Sequence, residues 1–434
     1  MSAVFRSLRA VNYRIWFAGA LVSNVGTWMQ RTAQDWLVLT ELTDHDAVAV
    51  GITMALQFGP LLVLGPFAGV LVDRLPGRRL LIGTQLAQAV LAVGLGAIVL
   101  SGAAELWMVY GFALLLGVVT AIDNPTRQTF VSELVPSTDL PNAVALNSAS
   151  FNGARLVGPA VAGLAIAAIG TGWVFLVNAV TYASVLAALV LLRRDQLHAV
   201  TKAARGRGQM REGLRYVRSR PDIVTVLVIV TLVGTFGFNF PIYTSTMARI
   251  EFGADSSAFG LLSSILAIGS VTGALFTASR ERPRVRSVVL AAVGFGLATA
   301  AAAIMPGYWS FAATLVLVGV SSMILMTSAN GYVQSTTPGR VRGRVMSIYM
   351  ALFAGTTFIG APAVGFVADA FGPRAALAVA ALSGLLGGAV GVVWLMSRRA
   401  ARADERSTLR ATVETRGDLA TDLELDEITA REAS

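Results

Sequence analysis

Five charged residues stand inside long apolar runs, where charge is expensive. Arg31 and Asp35 lie one helical turn apart, as do Asp123 and Arg127, while Arg155 has no acid one turn away on either side. Asn24, Trp28, Arg31 and Asp35 share one helical face at spacings of four, three and four; Ser148, Asn152 and Arg155 share another. A carboxylate buried beside a guanidinium can take up and release a proton, and an unpartnered guanidinium can hold a polar or anionic solute. Blander roles fit the same residues. Arg31 and Asp35 can neutralise each other as a pair, and Asp123–Arg127 serves equally as an inner gate contact or a structural pair. Gln57, Asn239 and Tyr243 can line a cavity or satisfy hydrogen bonds between helices. The residues for other chemistries are missing: there is no cysteine, only two histidines, and no G-x-x-x-x-G-K-[ST] phosphate loop. No metal site, no cofactor and no enzymatic activity are expected.

The elements that must hold these residues are membrane helices. The chain has 434 residues, 55% hydrophobic and 14% charged, too few charges to clothe a soluble surface. At roughly 20 residues per crossing, the apolar runs predict twelve helices near 13–39, 48–72, 79–101, 106–128, 143–169, 173–193, 221–247, 257–279, 286–305, 309–333, 343–368 and 374–397. At about 1.5 Å per residue, Asp35 falls in the outer third of the first and Arg155 about 18 Å along the fifth, near mid-membrane. Arg6, Arg9 and Arg14 precede a full-length run with no small-residue cleavage site, so no cleavable signal peptide is expected.

Of the 34 lysines and arginines, only Arg249 and Arg374 fall in loops on one side, and Arg31 and Arg155 lie within helices; the other 30 belong to the side of the termini. That asymmetry predicts both termini in the cytoplasm. The long basic loop divides the chain into an N-terminal six-helix half (1–195), a cytoplasmic linker (196–220), a C-terminal six-helix half (221–397) and a cytoplasmic tail (398–434). In the linker, Met210, Leu214 and Val217 recur at helical spacing with Arg211, Arg215 and Arg218 one step behind, which predicts an amphipathic surface helix. The halves repeat each other: Gly153, Gly158, Gly163 and Gly170 recur 202 residues on as Gly355, Gly360, Gly365 and Gly372, and Pro136 as Pro338. Gly158, Gly163, Gly360 and Gly365 are expected to let helices pack closely, and two six-helix repeats in one orientation are a transporter architecture. The repeat partner of Arg155 is Thr357, so packing alone does not demand an arginine there.

Between the second and third runs lies Gly69-Val-Leu-Val-Asp73-Arg74-Leu-Pro-Gly77-Arg78-Arg79. Asp73 at a helix end can pair with an arginine or accept bonds from another helix N-terminus. This stretch resembles G-x-x-x-D-R-x-G-R-R, the loop 2–3 signature of the major facilitator superfamily, with one extra residue. Further stretches are similar to the enterobactin-exporter-like, drug:proton antiporter branch: Gly26 to Leu37, Asp123-Asn-Pro-Thr-Arg127-Gln, Asn142 to Ser148, Arg155-Leu-Val-Gly158-Pro159 and Glu212 to Tyr216. The Gly158-Pro159 step resembles the antiporter motif, with Ala162-Gly163 where that motif has two glycines.

The resemblance implies an all-α membrane fold of twelve helices in two parallel six-helix repeats, with a central cavity between the halves and alternating access by rocking. It implies proton-driven efflux of a small organic molecule such as a drug, siderophore or secreted metabolite, with the proton gradient as the driving force. The partners expected are that substrate and the lipid bilayer, with no nucleic acid and a monomeric protein. Other readings are a nutrient facilitator or importer on the same fold and a membrane sensor or scaffold without transport.

Overall fold

A computed structural model describes residues 3–136, 138–198, 209–278, 284–354 and 356–398. The side chains of Gly69, Asp73 and Met210, the repeat position Gly355 and nearly all of the tail lie outside the described residues. The fold is all helix among the described residues. With no water in a bilayer core, each crossing must satisfy its own backbone, and a helix does so.

The N-terminal half is α1 (Val11–Leu37), α2 (Ala47–Arg74), α3 (Gly77–Leu100), α4 (Leu106–Leu134), α5 (Leu140–Ile169) and α6 (Thr171–Leu191). A short α7 (Gln209–Arg218) leads to the C-terminal half: α8 (Pro221–Phe236) and α9 (Phe240–Thr246) forming one pass, α10 (Ser256–Ala278), α11 (Val285–Ile304), α12 (Tyr308–Thr336), α13 (Gly339–Ala354) and α14 (Thr357–Phe371) forming another, and α15 (Pro373–Arg398). Eleven passes are long and apolar enough to cross a bilayer by composition; α1, with its internal charges, makes the twelfth. An even number of passes puts the two ends on one face, the terminal face. Trp107, Trp173 and Trp309 stand exposed in the first turns of α4, α6 and α12 at the far face, as an aromatic belt at a lipid–water boundary would.

The repeat is legible in the turns. Gly170, between α5 and α6, has φ +80°; Gly372, its repeat mate between α14 and α15, has φ +88°. Side chains rarely adopt that conformation, so both turns need glycine. Two passes expected to be continuous are broken. The seventh breaks at Gly237–Asn239, where Pro241 has no amide to donate and constrains the residue before it. The eleventh is interrupted at Thr356, a turn residue just before α14. Both α1 and α9 end in a π-helical turn, at Val38–Leu42 and Met247–Glu251.

The surface helix of the linker is present, yet it packs on protein. Val217 is buried, Gly213 lies against Arg344, and Glu212 forms an ion pair with Arg344 of α13. Arg220 follows, held by Asp222 in a two-pronged pair at 2.9 and 2.6 Å, and that carboxylate pushes the guanidinium pKa up. Tyr332 donates to Asp222 at 2.5 Å, tying α8 to α12.

Candidate functional site

The charged residues of α1 and α5 meet on one indole. Arg31 lies over the Trp28 ring at 5.3 Å and the Phe58 ring at 4.5 Å; Arg155 lies over the same Trp28 ring at 5.4 Å and over Phe353 at 5.9 Å. Gly158 allows this meeting. A Cβ there would stand 2.4 Å from the Cβ of Trp28, so only glycine lets α5 approach α1 this closely, one turn beyond Arg155. Phe353 comes from α13, so both halves contribute to the cluster.

Arg31 and Asp35 do not pair. Arg31 Nε and Asp35 Oδ1 are buried without hydrogen-bond partners among the described residues. Asp123 and Arg127, also four apart, do pair, at 2.5 Å. The order of charges accounts for the contrast: an acid one turn before a base is the favourable helical arrangement, and α1 has the reverse. The Arg31 guanidinium turns instead to aromatic faces, which attract a cation through their quadrupole.

The polar neighbours sort by partner. Asn24 donates to Ser150 at 3.2 Å, joining α1 to α5. Gln57 donates to Gln34 at 3.3 Å, and Gln34 donates to the Val109 carbonyl at 3.0 Å; Gln57 Oε1 is left unpartnered. Asn152 turns back to the Ser148 carbonyl of its own helix at 2.9 Å. Asn239 sits at the break before α9, where Nδ2 donates to the Thr235 carbonyl at 2.7 Å and Oδ1 is buried and unpartnered. Tyr243 donates its hydroxyl to the Phe236 carbonyl, capping the end of α8.

The Asp123–Arg127 pair belongs to a network within the first half. Asp123 also accepts from Thr84 at 2.6 Å and Gln85 at 2.8 Å, and Arg127 lies over Trp16 at 5.7 Å. Around the turn from α2 to α3, Arg78 donates to the Leu189 carbonyl near the end of α6 at 2.8 Å, Gly77 packs near Glu133, and Arg74 is exposed.

Hydrogen bonds between the two halves, among the described residues, gather at the far face. Asp369, at the end of α14, accepts from the amides of Ala47 and Val48 at the start of α2, and Arg249 donates to His45 at 2.9 Å. Trp36 stacks on Phe259 at 5.0 Å. Nearby, backbones cross without side chains: a Cβ on Gly163 of α5 would stand 2.2 Å from Gly260 of α10, and one on Gly51 of α2 would stand 2.5 Å from the Ala361 carbonyl of α14. Gly365 likewise meets the backbone of Ala47, and Gly360 meets that of Thr235 within the second half. Pro159 lies within α5 beside Gly158. Glu41, in the π turn after α1, accepts from Thr171 at 2.9 Å, and burial pushes its carboxyl pKa up.

Of the expected cavity residues, the structure brings Arg31 and Arg155 together through Trp28, with Asp35 one turn along. Asn24, Gln57 and Asn152 satisfy neighbouring groups. Sequence reasoning placed Trp28 on the right face without giving it a role. It missed Asp369, since an acid at a helix end is ordinary, and it missed the ring of Phe353, which looks like any other lipid or core residue.

The family described as "transmembrane secretion effector" matches residues 2–421. The chain is 25% identical to the staphyloferrin A transporter of Staphylococcus aureus over 362 residues, 83% of this chain and 90% of that protein. It is 27% identical to the multidrug efflux pump Tap of Mycolicibacterium fortuitum over 387 residues, 86% of this chain and 93% of that one. Among solved structures, a bacterial homologue of the human lysosomal transporter Spinster, inward-facing and unoccupied, superposes with a TM-score of 0.64 at 15% identity, covering 88% of this chain and 95% of that one. The nucleoside transporter NupG superposes with a TM-score of 0.69 at 12% identity, covering 88% and 99%.

Proposed function

The chain belongs to the transmembrane secretion effector family, within the major facilitator transporters, and on that premise we propose that it exports a small organic molecule across the cytoplasmic membrane in exchange for protons. The observation that carries this reading is the cluster of Arg31, Asp35 and Arg155. It is a set of charges without ion pairs among the described residues, Arg31 and Asp35 buried and Arg155 half-buried, assembled from α1 and α5 against a ring of the opposite half. Charge left unpaired at membrane depth is costly and marks solute and ion paths. Asp35 is the proposed proton carrier, because an arginine stays protonated. Alternating access is supported by the placement of the contacts between halves: they gather at the far face, the pattern of a transporter closed there and open toward its termini. The terminal face is proposed to be cytoplasmic, from the bias of basic residues. Asp123–Arg127 and the Asp73 loop are proposed to set the gate on that face.

The test uses inside-out membrane vesicles and a pH-sensitive dye. Adding an exported compound should move protons in the wild type and not in Asp35→Asn. Cells that overproduce the protein should lose the compound, and collapse of the proton gradient should abolish that loss. Accumulation of the compound in energised cells would replace this reading with import.

A further inference from the structure

The site on Trp28 has an excess of positive charge, and that excess bears on what it binds. Arg31 and Arg155 share the indole at 5.3 and 5.4 Å, and neither forms an ion pair among the described residues. Arg31 is only 6% exposed, with Nε unpartnered. Asp35 is the one acid on that face of α1, so two cations stand against one carboxylate. Aromatic faces offset part of the cost of burying a guanidinium, but they supply no oxygen to accept its hydrogen bonds. The empty acceptor role is specific, because a guanidinium presents a planar fork that matches a carboxylate.

Resting on the transport reading, we propose that the substrates are organic anions, whose acidic group is held between Arg31 and Arg155 while an apolar body packs on Phe58, Phe151 and Phe353. Phe151 of α5 lies edge-on to Trp28 at 5.9 Å, and Phe58 of α2 lies 6.2 Å from it. The two guanidinium groups thus stand among the rings of Trp28, Phe58 and Phe353, with Phe151 beside Trp28. Phe353 belongs to the second half, so a body long enough to reach it touches both halves at once. A cationic drug of the same size meets two like charges there and is disfavoured.

Three probes with one ring system separate charge from shape: 2-naphthoate, 2-naphthamide and 2-naphthylmethylamine, titrated calorimetrically into the full chain in nanodiscs of neutral lipid. The naphthoate should bind at least tenfold more tightly than the amide, and the amine more weakly still. Arg31→Gln and Arg155→Gln should each weaken naphthoate at least tenfold and leave the amide unchanged, with Arg→Lys recovering part of the loss. If a glutamine variant fails to yield monodisperse protein, the lysine variant and the wild-type charge series decide. Equal binding of the anion and the amide, or wild-type affinity in both glutamine variants, overturns the proposal. Export of neutral or cationic compounds by a protein that does not bind naphthoate would leave the transport reading standing and remove this one. Naphthoate binding without any flux in vesicles would do the reverse.

Discussion

The carboxylate of Asp369 accepts hydrogen bonds from the amides of Ala47 and Val48 at 2.7 and 2.8 Å, so an acid of the second half caps a helix of the first. Asp46 caps the same helix from its own chain neighbour position, accepting from Ala49 at 2.8 Å. A carboxylate at a helix N-terminus gains from the macrodipole and from charge-assisted bonds worth about 1.5–3 kcal/mol each. Opening the far face must break both bonds to Asp369. Asp369→Asn is expected to fold normally and to shift the population toward the far-open state by roughly tenfold or more, at about 1.4 kcal/mol per tenfold. The chain has no cysteine, so single cysteines placed along the far ends of α2 and α14 report opening through an impermeant maleimide. Unchanged reactivity would sink the idea.

The opposite end of α2 carries Asp73, in the loop signature. Because α2 and α14 run antiparallel, an acid there acts on the other gate. Asp73→Asn is expected to insert normally, to slow transport by roughly 10- to 100-fold, and to favour the far-closed state, opposite in sign to Asp369→Asn. The same maleimide assay reads the sign; a shift in the same direction for both variants would break the symmetry argued for.

The Asp123–Arg127 pair is buried with Thr84 and Gln85 as further donors. Asp123→Ala strands a buried guanidinium and is expected to destabilise the protein by about 3–5 kcal/mol, while Asp123→Leu with Arg127→Met costs far less. Thermal melting of the purified variants tests this. A single variant as stable as the wild type would point to a gate role without structural weight.

Gly163 and Gly260 meet backbone to backbone. Gly163→Val is expected to cost about 1–3 kcal/mol by overpacking and to slow transport, because α5 and α10 can no longer close. Gly153→Ala is the control: it has open space around it and should transport at the wild-type rate.

Both termini should be cytoplasmic. A reporter active only outside the cell, fused after Arg398, should give no signal; strong activity would overturn the orientation and with it the direction of export.

The twelve passes were legible because lipid demands about 20 apolar residues per crossing, and the repeat because Gly170 and Gly372 keep one backbone conformation. Helix ends were less so. The fourth pass was expected to stop near 128 and continues to Leu134, since Gln128, Thr129 and Ser132 leave the lipid without leaving the helix. The break at Gly237–Asn239 was hidden in an unbroken apolar run, where hydropathy has no contrast. The charges themselves were conspicuous, but spacing could not say which would pair. Asp123–Arg127 and Arg31–Asp35 look alike in a sequence until the direction of the helix is considered, and the aromatic rings that claim Arg31 come from elsewhere in the chain.

The two bare crossings have a mechanical meaning. Gly163 on Gly260 joins α5 to α10 and Gly51 on Ala361 joins α2 to α14, and in the proposed rocking of the halves two such points define an axle. It lies near the far face, so the arms are unequal. From Gly260 to the end of α10 at Ala278 is about 27 Å at 1.5 Å per residue, and each degree of rotation sweeps that end through about 0.5 Å. In that proposed motion the terminal mouth opens wide for a small turn, while the far-face seal, close to the axle, hardly parts until its own clasps let go.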